Sequence, residues 1–267
     1  MKVYILVDSE GGACVVREKG ADANRGYGVS WQAEYIRQRA TAEASAAVRG
    51  AVSAGADEIL VHDGGFVRGH TPPGLTLYYD QLPSGIRIAL GMVQIKDVVD
   101  TTFDAAMLIG HHAMAGTADG VMAHTFSSVS VVGQWLNGRP IGEIAIEALV
   151  LGAFSIPVVM VSADEAGCRE AADWLGPVEL APTKRGITTH GAVSLHPADA
   201  CALIEAKARA GLARLRECKP LTMAPPYELR VECRTTEEAR ARAARKGGVL
   251  DGAHSYVIKT GNVMELI

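Results

Sequence analysis

The sequence predicts an α/β protein: three layers around a largely parallel (mixed) sheet, with a smaller C-terminal α/β lobe. Two observations carry that prediction. Short runs rich in β-branched and aliphatic residues, such as Lys2 to Val7 and Glu58 to His62, alternate with longer proline-free stretches rich in Ala, Glu, Arg and Gln. The 267-residue chain is also 48% apolar, only 5% aromatic and rich in glycine, which suits many strand-to-helix turns. It is long enough for a large core, taken as a single domain over residues 1–267 with possible lobes at 1–218 and 219–267.

The elements follow in order. Lys2 to Val7 is a buried strand that ends at Asp8-Ser9-Glu10-Gly11-Gly12. Trp31 to Ala54 lacks proline and reads as a helix stopped near Gly55. Glu58 to His62, Ile86 to Leu90 and Ala105 to Ile109 are the next strands, the last running into Gly110-His111-His112. Val129 to Leu136 enters a hairpin turn at Asn137-Gly138, and an apolar helix covers Ile144 to Phe154. Pro157 to Ser162 is another buried strand, followed by helices over Glu165 to Leu175 and Pro197 to Arg216. Lys219 to Pro226, with three prolines, marks the connection to a last strand (Glu228 to Cys233), helix (Thr236 to Lys246) and closing strand (Ser255 to Ile258).

Composition narrows the function. A formal charge of −4 offers no basic face for nucleic acid or an anionic membrane. The longest nearly apolar stretch, Ala148 to Ala163, is broken by Ser155 and Pro157 and reads as a helix end followed by a strand, not a membrane span. Five dispersed cysteines without CxxC spacing argue against a disulfide framework and a thiolate zinc site. No secretory pattern opens the chain, so a cytoplasmic protein with buried free thiols is expected.

Several strands end in ligand-type residues: Asp8 and Glu10, His62 and Asp63, His111 and His112. Strand ends converge on one edge of a parallel sheet, where ligands bind. Acids together with neutral imidazole form a mixed oxygen and nitrogen donor set suited to Zn²⁺ or a related divalent ion. His111 and His112 face opposite ways in extended chain, so one of them can serve a given site. His124 sits on a glycine-flanked loop able to return to the same edge, where an imidazole is the usual proton carrier. His190, His196 and His254 have no ligand-type neighbours and read as structural or surface residues.

Four motifs in register resemble the zinc-dependent D-aminopeptidases of peptidase family M55. They are Val7-Asp8-Ser9-Glu10-Gly11, Gly110-His111-His112-Ala113, Gly120-Val121-Met122-Ala123-His124 and Asn137-Gly138-Arg139-Pro140-Ile141-Gly142-Glu143. The resemblance is closest over the first 165 residues or so and looser beyond them. It implies two zinc ions per chain bridged by Asp8, with Glu10, His112 and Glu143 as further ligands and His124 as the catalytic histidine, whether proton carrier or nucleophile. Mn²⁺ or another divalent ion is the alternative metal. It also implies release of N-terminal D-amino acids from short peptides, and ring-shaped homo-oligomers. At the position of the family's ligand histidine after the second strand this chain has Gly65; His62 is the preferred substitute, with His70 or the loss of one metal as alternatives. Asp63 is then expected to orient a ligand. The loops at 12–28 and 64–74 differ from the family pattern, which leaves open a non-peptide amide or lactam substrate, and the missing histidine leaves open an inactive ring-forming relative.

Overall fold

The computed structural model describes residues 1–16, 29–65 and 74–267. In chain order these form β1 (Lys2–Val7), α1 (Val29–Ser53), β2 (Glu58–Asp63), β3 (Arg87–Ala89), α2 (Ile95–Val98) and β4 (Ala105–His111). Next come β5 (Val131–Leu136), β6 (Arg139–Pro140), α3 (Glu143–Ala153), β7 (Val158–Asp164), α4 (Glu165–Leu175), β8 (Glu179–Thr188) and β9 (Gly191–Ser194). The chain closes with α5 (Pro197–Ala213), β10 (Tyr227–Cys233), α6 (Thr236–Lys246), β11 (Val249–Leu250) and β12 (Ser255–Thr260). Helices α4 and α6 fall where the sequence places them. Strands β8 and β9 are not among the expected elements.

The main sheet has the order β3-β2-β1-β4-β7-β8-β9, parallel throughout except for β9, which returns antiparallel to β8. Alternation along β1 shows why it is buried on both faces. Val3, Ile5 and Val7 join a core with Ala40, Ala44, Ile204 and Ala208 of α1 and α5. Tyr4 and Leu6 point the other way, into a core with Ile144, Ala148, Cys168 and Ala171 of α3 and α4. Such two-sided burial is what a near-continuous apolar strand requires. The predicted three-layer α/β architecture is therefore present.

A second sheet, β11-β12-β10-β5-β6, is antiparallel. It packs Leu229, Val231, Tyr256 and Ile258 against Ile146 and Leu149 of α3 and Ala239 and Ala243 of α6. Helix α3 thus lies between two cores, which explains its apolar composition all round. A lobe boundary at residue 219 does not match the sheets, because β10 pairs with β5 (Leu229 opposite Leu136) across the chain. Local patterning holds no sign of a partner about 90 residues away. Among the described residues, no helix is long and apolar enough to cross a membrane. All five cysteines are free; Cys14 is exposed, against the expectation of burial, while Cys168 and Cys233 are buried.

The strand order reverses direction between β1 and β4. After β1 the chain adds β2 and β3 on one side, then crosses to place β4 on the other. A crevice at such a reversal, at the carboxyl ends of the strands, is where open α/β sheets bind ligands. Asp8 and His112 are the residues that follow β1 and β4.

Candidate metal centre

Asp8 stays zipped to β4, its backbone N–H donating to Ile109 O at 2.8 Å. Two glycines then allow an unusually close approach. A Cβ on Gly11 would lie 1.8 Å from the His111 carbonyl oxygen. A Cβ on Gly110, whose φ is +70°, would lie 2.5 Å from the Asp8 carbonyl oxygen. With no side chain at either place, Gly11 N–H reaches Gly110 O at 2.7 Å, and the Asp8 to Glu10 turn is set beside His112.

Glu143 arrives by another route. Asn137 and Gly138, both with positive φ, close the β5–β6 hairpin, and α3 then begins at Glu143 with Gly142 as its N-cap. The Glu143 Oε1 atom accepts from the Phe126 N–H at 2.7 Å. His124 lies on the loop between β4 and β5, held by its own N–H donating to Ala113 O at 3.2 Å.

These elements bring Asp8, Glu10, His112, His124 and Glu143 together. His112 Nε2 is 3.5 Å from Asp8 Oδ2 and 3.3 Å from Glu143 Oε1, and His124 Nε2 is 3.8 Å from the same Glu143 oxygen. The two imidazoles stack with centroids 4.0 Å apart and planes within 12°. Donor atoms of His112, His124 and Glu143 all lie within 4.8 Å of one another, and so do those of Asp8, Glu10 and His112. His112 is shared by both groups. Its side chain is 1% exposed, whereas that of His124 is 15% exposed, at the outer side of the stack.

The hydrogen bonds select the tautomers. His112 Nδ1 lies 3.0 Å from Ala113 O and His124 Nδ1 lies 2.8 Å from Met122 O, so each neutral ring protonates Nδ1 and donates there. Both Nε2 lone pairs then face carboxylate oxygens. His112 Nε2 is buried and makes no hydrogen bond. Lone pair against lone pair is repulsive until a proton or a cation intervenes. A divalent ion fits the atoms as they stand, and the backbone bonds at Nδ1 are the orienting contacts that metal-ligating histidines use.

The electrostatics agree. Burial works against a charge on His112, yet Glu143, Asp8 and Glu10 outweigh it and raise its pKa well above the ordinary range. Asp8 is pushed well up by burial and then by the charge of Glu10. Burial opposes charge on Glu143 too, but His112 and His124 draw its pKa down to about 2. Acids and imidazoles packed this closely must share protons among themselves or give them up to a cation.

The remaining expectations fare differently. His111 turns away from the cluster and pairs its Nε2 with Glu147 Oε2 at 2.6 Å, as its opposite facing requires. His62 belongs to neither donor group. Its Nδ1 is 2.5 Å from the Tyr4 hydroxyl, and burial lowers its pKa to about 4, so it serves the core rather than replacing a ligand. Asp63 does not orient a ligand either: its Oδ2 accepts from the Thr76 and Leu77 N–H groups and the Tyr79 hydroxyl, fixing the segment after Gly74. Gly65 packs against Thr76, whose Oγ1 would lie 3.1 Å from an added Cβ. His70 and most of the two divergent loops lie outside the described residues. His196 is structural, its side chain capping α5.

One residue is missed by sequence reasoning. Lys184 of β8 is buried and donates from Nζ to the carbonyls of Glu10 (2.6 Å), Gly12 (2.8 Å) and Val15 (2.7 Å). Its neighbour Thr183 donates from Oγ1 to Gly11 O at 2.5 Å. Together they clamp the loop that carries Glu10. A lysine in a run containing proline and arginine carries no signal of such burial.

Known proteins share this arrangement of elements. The profile of the family described as D-aminopeptidase, peptidase M55, matches residues 1–267. A D-aminopeptidase of Bacillus subtilis (strain 168) is 31% identical over 231 residues, spanning 85% of this chain and 78% of the relative. Among solved structures, the Zn-dependent D-aminopeptidase DppA from Bacillus subtilis, described as a self-compartmentalizing protease, superposes with a TM-score of 0.88 at 27% identity. That superposition covers 99% of this chain and 93% of the other.

Proposed function

The chain belongs to peptidase family M55, the D-aminopeptidases, and from that premise we propose that it is a zinc-dependent aminopeptidase releasing N-terminal D-amino acids from short peptides. In this reading Asp8, Glu10, His112 and Glu143 hold a dinuclear centre and His124 carries the proton. The observation that supports it most is His112 Nε2, buried without a hydrogen bond and shared by two groups of donor atoms. When bound, divalent ions supply the Lewis acidity that polarises the scissile carbonyl.

The rest falls to the protein's own side chains. The Ala113 and Met122 carbonyls keep both imidazoles in the Nδ1–H tautomer. Phe126 N–H holds the Glu143 carboxylate in place. His124, at the exposed side of the stack, is placed to accept a proton at Nε2 and hand it to the leaving amine. One observation favours a second reading of His124: its donor atom also falls within ligand distance of His112 and Glu143, which would make it a third ligand of that group. By analogy with the self-compartmentalizing neighbour, a ring-shaped homo-oligomer with sites facing an enclosed space completes the proposal.

The test is metal analysis joined to turnover. Protein grown in metal-replete medium is expected to hold two zinc ions per chain and to hydrolyse D-alanyl but not L-alanyl dipeptides. His112→Ala is expected to lose both metal and activity. A chain that binds no zinc, or one that prefers L-peptides or lactams, sinks the proposal.

A further inference from the structure

Next to the cluster lies a cavity of about 360 Å³ that shares Glu143 with it. Leu6, Ile95 and Phe126 give it apolar walls, and Glu143, Glu147 and His62 add polar groups. Among the described residues that line it there is no lysine or arginine. His62 brings no positive charge at neutral pH, because burial keeps its pKa near 4. The cavity therefore favours a cation with an apolar body.

Glu143 and Glu147 stand four residues apart on α3, so they share a helix face about 6 Å apart along the axis. Their oxygens differ in what they are free to do. Glu143 is committed to Phe126 N–H and to the imidazoles. Glu147 gives one oxygen, Oε2, to His111 Nε2 at 2.6 Å, and among the described residues its Oε1 has no hydrogen-bond partner. His111 is buried and fixes the carboxylate without capping it.

We propose that this cavity seats the N-terminal residue of the substrate, with Glu147 accepting the free α-ammonium and the apolar wall receiving the side chain. The inference rests on the peptidase reading above and deepens it, since it names what makes the enzyme require a free amino terminus. An ammonium entering a site that holds divalent cations is repelled unless a carboxylate outside the ligand set receives it. Glu147 is that carboxylate, one turn beyond Glu143. A blocked amine leaves Glu147 buried against an uncharged group, which is how a site built for a charged partner rejects the analogue lacking it.

Binding and catalysis test it separately. The zinc-reconstituted protein is titrated by calorimetry with D-phenylalaninol, which carries the ammonium and the side chain but no scissile bond, and with its N-acetyl form. The parent is expected to bind the free amine at least about tenfold more tightly, and Glu147→Gln to lose that preference while keeping its zinc content. With a D-dipeptide, the same variant is expected to raise KM at least about tenfold with kcat within about threefold. Ile95→Phe, which narrows the cavity and leaves Glu147 alone, is expected to weaken D-phenylalaninol but not D-alaninol. A parent that binds both forms equally overturns the inference, as does a Glu147→Gln protein that keeps the preference or an Ile95→Phe protein that binds both alcohols unchanged. Failure of the peptidase reading shows elsewhere, as absent hydrolysis by the zinc-loaded parent.

Discussion

Glu43 shows how the loop that carries the proposed ligands Asp8 and Glu10 costs stability. It is a buried carboxyl on α1 whose Oε1 accepts from the Ala13 N–H at 2.7 Å. Burial raises its pKa to about 7, against the pull of the Ala13 N–H and the charges of Lys184 and Arg39. Between its unfolded value near 4.5 and about 7 the native state holds a proton that the unfolded chain has released, so this group favours folding at low pH and loses that contribution as pH rises. The cost is fully present above about pH 7 and amounts to about 3 kcal/mol. Glu43→Gln keeps the acceptor and removes the charge. Its stability relative to the parent is expected to improve from pH 5 to pH 8, as measured by urea unfolding at both values. A difference that stays flat across that range would show that Glu43 ionises freely in the folded protein.

At the scale of elements, β8 is the strand that matters most and was least visible. Its run Glu179–Thr188 holds Pro182, Lys184 and Arg185, which break both the apolar alternation and the propensity that mark a strand. Yet Lys184 gathers three carbonyls of the Glu10 loop, and an alkyl side chain there would leave them short of a donor. Lys184→Met is expected to reduce zinc affinity about 10- to 100-fold, the usual penalty for losing a group that orients a ligand. Competition with a chelator reads this out directly, and unchanged affinity would make Lys184 a purely structural residue. Glu143 at the start of α3 was marked only by the family resemblance. By contrast, the ends of β1 and β4 were legible, because Asp8 and His112 sit where apolar runs meet glycine or a turn. His62 misled for the same reason. It lies at a strand end, but on the side that faces Tyr4 and the core.

Across the whole molecule, the three-layer α/β arrangement was legible because most strands and helices of the main sheet, β8 and β9 excepted, announce themselves locally. The sequence did not predict that β5 and β10 pair, since that contact joins segments about 90 residues apart and divides neither at residue 219 nor at any composition shift. The consequence is that α3 is gripped by both sheets, with Ile144 in one core and Ile146 in the other. Glu143 opens this helix and Glu147 lies one turn on, so the two acids are carried by the most completely buried helix of the fold. Rigid support of that kind is what a preorganised site needs. The main sheet adds its own part, because the reversal of strand order between β1 and β4 opens the crevice into which Asp8 and His112 project. The proposed ring assembly is checked by the mass from light scattering. His124→Ala, with zinc per chain and D-alanyl dipeptide turnover measured on the same sample, separates a proton carrier at His124 from the four proposed metal-holding residues. The variant is expected to keep the parent's zinc content with turnover reduced about 10²- to 10⁴-fold. Zinc lost together with activity, or turnover retained, would contradict that assignment.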